Sequence, residues 1–119
     1  MPGMFWRATL GLSTALVLLL SGCYSDVDSF VVAKAKQDCK RLASCNASFF
    51  SDLYDDDLDE CRSNTEDNLQ TGFDILEVFG REYDPKQGRT CVSATRHARN
   101  DCSAGGDDDV FDACDRVFN

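Results

Sequence analysis

From residue 30 onward, apolar side chains return every third or fourth position, and strand-like alternation never survives for more than four residues. Val31, Ala35, Cys39 and Leu42 share one face of a helix predicted over about 30–44, with Asp28 or Ser29 as its cap. Lys34, Lys36, Lys40 and Arg41 lie mostly off that face, and the last two suit the negative end of a helix dipole. Residues 46–56 read as a loop that folds Phe49, Phe50, Leu53 and Tyr54 back onto the core. Leu58, Cys61, Thr65, Leu69, Phe73, Leu76 and Phe79 stripe a long second helix over about 57–79. Gly72 weakens its middle by about 1 kcal/mol relative to alanine. A break near Thr71-Gly72 is compatible with that, and Gly80 is a natural stop.

Asp84-Pro85-Lys86-Gln87 opens a third helix over about 85–101, with Asp84 capping, Pro85 in the first position and Gln87 placed as in a capping box. Cys91, Thr95, Ala98 and Cys102 line its inner face. A turn containing Gly105-Gly106 leads to a last short helix over about 107–117, with Val110, Cys114 and Val117 inward. The expected fold is all-α, a small disulfide-stapled bundle of three or four helices after an N-terminal signal segment, with no internal repeat.

That segment, residues 1–22, is built differently. Met1 to Arg7 carry one positive charge, and Ala8 to Leu20 are thirteen residues without any. Thirteen residues fall short of the roughly 20 needed to span a bilayer but match the apolar stretch of a secretory signal. Leu20-Ser21-Gly22-Cys23 follows at once and resembles the lipobox of bacterial lipoproteins. Small residues let an extended backbone enter a membrane peptidase, and the cysteine sulfur is the nucleophile that takes a diacylglycerol group. The resemblance implies cleavage between Gly22 and Cys23, lipidation of Cys23 and a mature chain of 97 residues. Residues 23–29 become the lipidated cysteine and a short tether, six residues of which reach about 20 Å, and 30–119 become the domain. At about 0.8 kcal/mol per buried methylene, two or three acyl chains anchor stably where one does not. Tyr24 stands where inner-membrane lipoproteins of enteric bacteria carry Asp, so the resemblance places the chain in the envelope, at the outer membrane rather than the inner.

Of seven cysteines, Cys39, Cys45, Cys61, Cys91, Cys102 and Cys114 then remain, an even number that suits three disulfides in an exported protein. Structural zinc wants close Cys-x2-Cys pairs, and none occurs. Six cysteines allow fifteen pairings that sequence does not decide. The working expectation is Cys45–Cys61, Cys102–Cys114 and Cys39–Cys91, the first two closing short loops between neighbouring helices.

Net charge is -9 in 119 residues, which excludes nucleic-acid binding by bulk electrostatics. His97, the single histidine, sits between Arg96 and Arg99 on a polar face, and no serine, thiol or oxyanion site is indicated for it; no catalytic residue is nominated and no enzyme is expected. The acidic runs 55–60 and 107–112 could hold calcium weakly, but they lack the EF-hand pattern and fall where helices begin. Phe49, Phe50, Tyr54, Phe73 and Phe79 could shelter an apolar ligand, although core packing explains them as well. No metal site and no cofactor is expected.

Three stretches, Cys39-Lys40-Arg41-Leu42-Ala43-Ser44-Cys45, Tyr83-Asp84-Pro85 ahead of Cys91, and Cys114-Asp115-Arg116-Val117-Phe118, resemble small cysteine-rich lipoproteins of myxobacteria. That family supports place and fold without naming an activity. The expected role is a lipid-anchored binding module in the envelope, with the membrane and another envelope or extracellular protein as partners; the alternatives are a carrier of an apolar ligand between its helices and a weak calcium binder.

Overall fold

Each helix among the described residues begins on a side chain that accepts hydrogen bonds from the backbone N–H groups its first turn leaves unpaired. The computed structural model describes residues 24–119, and among them five helices form and no strand. Helix α1, Val27–Cys45, is capped by Asp26, whose carboxylate accepts from the Ser29 N–H at 2.8 Å. Helix α2, Ala47–Tyr54, is capped by Asn46, and α3, Leu58–Val78, by Asp57. Helix α4, Pro85–His97, has Asp84 as cap and Pro85 in its first turn. Helix α5, Ala104–Cys114, starts on Ser103.

The architecture is the expected all-helical bundle, with one helix more than the periodicity indicates. Residues 47–54, expected as loop, form α2 because Asn46 serves two helices at once. Its N–H donates to Leu42 O and ends α1, while its side chain accepts from the Phe49 N–H and starts α2. Only Phe50 of this helix is buried, so no apolar stripe announces it. Helix α1 begins at Val27, so residues 27–29 are helix and not tether. Helix α3 runs unbroken through Gly72, where Gln70 bonds to Asp74 and Thr71 donates to Asp67 O. It stops where expected, at Gly80, whose φ of 82° lies in the left-handed region that side chains avoid. Helices α4 and α5 both end earlier than expected, and Gly105-Gly106 lie in the first turn of α5.

Helix α1 is the hub, packed against α2, α3 and α4, while α5 packs on α4. Two cores lie along it. Phe30 and Val31 near its start join Cys91, Val92, Val117 and Phe118, with Leu69, Phe73, Leu76 and Tyr83 packed around them. Cys39, further along, joins Cys61 and Phe50, with Leu42 and Tyr54 alongside. The rings of Phe30, Phe73, Tyr83 and Phe118 form a tilted group, closest between Phe73 and Phe118 at 4.6 Å between centroids. Such pairs contribute about 0.5–1.5 kcal/mol each beyond their burial. Glu82 and Asn119 exchange two backbone hydrogen bonds, of 2.8 and 3.0 Å, and lay Phe118 beside Tyr83.

All six expected cysteines are disulfide-bonded, but none in the expected pairing. The bridges are Cys39–Cys61, Cys45–Cys102 and Cys91–Cys114. The short-loop expectation fails because packing, not proximity in sequence, chooses the partner. The turn after α2 brings the start of α3 beside the middle of α1, so Cys61 meets Cys39 and not Cys45. Cys45, at the end of α1, is left against the α4–α5 connection, where its sulfur also approaches Arg99 O at 3.7 Å. Cys91, on the buried face of α4, takes Cys114 from α5.

Candidate functional site

Gly22 and Cys23, expected at the cleavage and lipidation point, lie outside the described residues. What the structure supplies is the place where the chain arrives from them. Tyr24 packs against the first core, and its carbonyl accepts a hydrogen bond of 2.7 Å from the Tyr83 hydroxyl. Burial pushes the Tyr83 hydroxyl up to about 12, against the opposing pull of Arg89. The proton needed for that bond is therefore held well beyond neutral pH. Gly88 makes room for the arrangement, since a Cβ there would collide with the Tyr83 ring. Position 24 is thus fixed to the bundle, not hung from it.

Val32, Leu58 and Phe111 are exposed large apolar residues on separate helices, and the remaining ones form two groups. At the end of α3, Ile75, Val78 and Phe79 are 53%, 83% and 78% exposed. On α2, Phe49 and Leu53 are 48% and 51% exposed, one helical turn apart. The two groups lie toward opposite ends of α1, because the cores beneath them are centred on Phe30–Val31 and on Cys39. The five aromatic residues proposed as a pocket therefore separate. Phe50 and Tyr54 pack in one core, Phe73 in the other, and Phe49 and Phe79 face solvent.

The acidic run before α3 does cap work. The Asp57 carboxylate accepts from Asp59 and Glu60 N–H at 2.9 and 3.3 Å, while Asp55 and Asp56 take left-handed φ values of 50° and 61° in the turn. In the second run Asp107 pairs with Arg41 at 2.7 Å. Among the described residues no group of three or more His, Cys, Asp or Glu side chains converges on a point that could hold a metal. His97 is exposed and its Nδ1 lies 2.7 Å from Ser93 O in its own helix, so that nitrogen donates. Two grooves, of about 220 Å³ beside Asp28, Glu66 and Asp67 and about 180 Å³ beside Asp38 and Arg41, carry carboxylates in their walls and do not join the five aromatic residues.

Sequence reasoning missed two positioning residues. Arg41 donates through Nε to Ala98 O at 3.0 Å and through a terminal nitrogen to Asp101 O at 2.9 Å, so it ties the last carbonyls of α4 and the start of α5 to α1. Its only signal was the late position on a helix, read as dipole complementarity. Tyr83 gave no spacing signal, since its partner is 59 residues away. Charge is also sorted over the surface. Lys36 above all, with burial and then Arg99, Arg62 and Arg96, pulls the Lys40 ammonium below its ordinary value, which marks a basic face across α1, α3 and α4. The exposed acidic side chains Asp52, Asp55, Asp56, Asp57, Asp59 and Glu60 lie in sequence from the middle of α2 to the first turn of α3, and Asp59 meets the basic face through an ion pair of 3.5 Å with Arg62.

Among the described residues no helix is long and apolar enough to cross a membrane. The chain matches no protein-family profile, no curated protein and no solved structure.

Proposed function

We propose that this protein is a lipid-anchored, disulfide-held envelope domain that acts by binding another protein, with its anchor on Cys23. The observation that carries the reading is the cysteine arithmetic. Three bridges use six cysteines, and the seventh stands in Leu20-Ser21-Gly22-Cys23, one residue before the packed Tyr24. Three bridges in so small a domain support an oxidising compartment outside the cytoplasm. The outer membrane is the proposed address, on the absence of Asp at position 24.

The binding surface in this reading is the α2 end. Phe49 and Leu53 form an exposed apolar pair on a helix that carries Asp52 and is followed in sequence by the acidic run 55–60, which fits a partner protein with an apolar centre and basic side chains beside it. Metabolic labelling with palmitate, mass spectrometry of the mature N-terminus and membrane fractionation test the anchor. The wild-type chain starts at a lipidated Cys23 and fractionates with outer membranes, and Cys23→Ser abolishes label and membrane attachment. An unmodified N-terminus at another residue overturns the reading. Photo-crosslinking from position 49 tests the surface: a discrete crosslinked protein lost on Leu53→Asp supports it, and crosslinks unchanged by that substitution refute it.

A further inference from the structure

The α3 tip carries more apolar surface than folding needs. Leu76 and Phe73 already face the first core together with Tyr24. Ile75, Val78 and Phe79 sit at steps of three and four on the remaining face and are more than half exposed. Exposed apolar residues are common singly, but three on one helical face at the end of an element mark a contact surface.

Position decides what that surface meets. The backbone turns at Gly80, where Arg81 N–H donates to Leu76 O, and reaches Tyr83 four residues after Phe79. Four residues span at most about 14 Å, and Tyr83 holds the carbonyl of Tyr24. Tyr24 is in turn a single Cα–Cα step, about 3.8 Å, from Cys23. Given the lipid anchor on Cys23 proposed above, on which this step rests, the end of the bundle that carries Tyr24 is pressed to the bilayer. Since residues 27–29 are helix and Tyr24 is packed, no slack exists to hold the domain away. The α3 tip shares that end.

We infer that Ile75, Val78 and Phe79 form a wedge that enters the headgroup region of the anchoring membrane, so that the domain stands on two supports, the lipid on Cys23 and the tip of α3. The attraction is apolar. Arg81 is flanked by Glu77 and Glu82, and Asp74 lies one turn back, so the local charge gives no net pull towards anionic lipid, and a zwitterionic surface suffices. An amphipathic surface of this kind gains from burial only when something else supplies proximity, which the anchor does. Two supports also fix orientation, and α2 with Phe49 and Leu53 then faces away from the membrane.

The mature chain beginning at Cys23 contains no tryptophan, because Trp6 precedes the cleavage point. Phe79→Trp and Phe49→Trp therefore each place one fluorophore in the lipidated protein, at opposite ends. Both are purified from membranes and reconstituted into phosphatidylcholine vesicles, with the lipid on Cys23 verified by mass spectrometry of the same sample. Brominated phosphatidylcholine is expected to quench the Phe79→Trp variant at least threefold more than the Phe49→Trp variant, with emission shifted to shorter wavelength. Adding Val78→Ser to Phe79→Trp should weaken the quenching at least twofold. Lipid present with equal quenching at both positions, or none at position 79, overturns the wedge and leaves the anchor standing. Absence of lipid on Cys23 overturns both.

Discussion

Removing the Cys45–Cys102 bridge should destabilise this domain more than removing either of the others, through the unfolded state. The bridge spans 57 residues, against 22 and 23 for the other two. Loop-closure entropy then assigns it about 4.2 kcal/mol at 25 °C and the others about 3.4 kcal/mol each. The other two bridges already shorten the route between Cys45 and Cys102, but only to roughly 48 residues, and the logarithm lowers the figure by only about 0.15 kcal/mol. A loss of about 4 kcal/mol is a large share of the 5–15 kcal/mol typical of a domain. The test is urea unfolding of Cys45→Ser/Cys102→Ser under non-oxidising handling that preserves the other bridges. The midpoint should fall, with a modest rise in slope as the denatured chain expands. Accessibility gives a second readout. Cys102 is exposed, whereas Cys39, Cys61 and Cys91 are at most 1% exposed. Graded reduction with alkylation should therefore label Cys45 and Cys102 first. A loss below 2 kcal/mol, or first labelling of Cys39 and Cys61, would refute the reasoning.

Gly72→Ala should stabilise the domain by about 1 kcal/mol, because the position is helical and a Cβ there meets nothing within 4 Å; an unchanged thermal midpoint would contradict this. Tyr83 should still carry its proton at pH 11 in a spectrophotometric titration, since burial raises it to about 12. A folded pKa above the unfolded value near 10 means that the contribution is whole below pH 10 and is lost as pH rises from 10 to about 12. Tyr83→Phe should remove that alkaline step and cost about 1 kcal/mol through the lost bond to Tyr24 O. An alkaline step that survives Tyr83→Phe would place its origin elsewhere.

Local chemistry was the legible part of this chain. Asp84-Pro85 opens α4 and Gly80 closes α3 because caps and stops depend on a few neighbouring residues, and these do what their side chains dictate. The stripe Cys61, Leu69, Phe73 and Leu76 does face the two cores. What stayed hidden depends on the third dimension. Helix α2 buries one side chain and rests on a shared Asn46, so periodicity carries no trace of it. The disulfide partners follow from helix packing, which brought Cys61 to Cys39 past the nearer Cys45. The Tyr83–Tyr24 bond joins residues with no common spacing, and it turned an expected tether into part of the bundle. The outward face of Ile75, Val78 and Phe79 was readable as apolar, but only the fold shows which members of the stripe are left without cover.

The interlaced bridges have a bearing on survival among proteases. Any single backbone scission between Cys39 and Cys114 leaves both halves joined by at least one sulfur–sulfur bond. Across the stretch from Cys61 to Cys91, which holds most of α3 and the exposed turn at Arg81, that duty falls on Cys45–Cys102 alone. A molecule nicked after Arg81 would run as one band before reduction and as two after it, and it would keep its footing wherever its first half is attached.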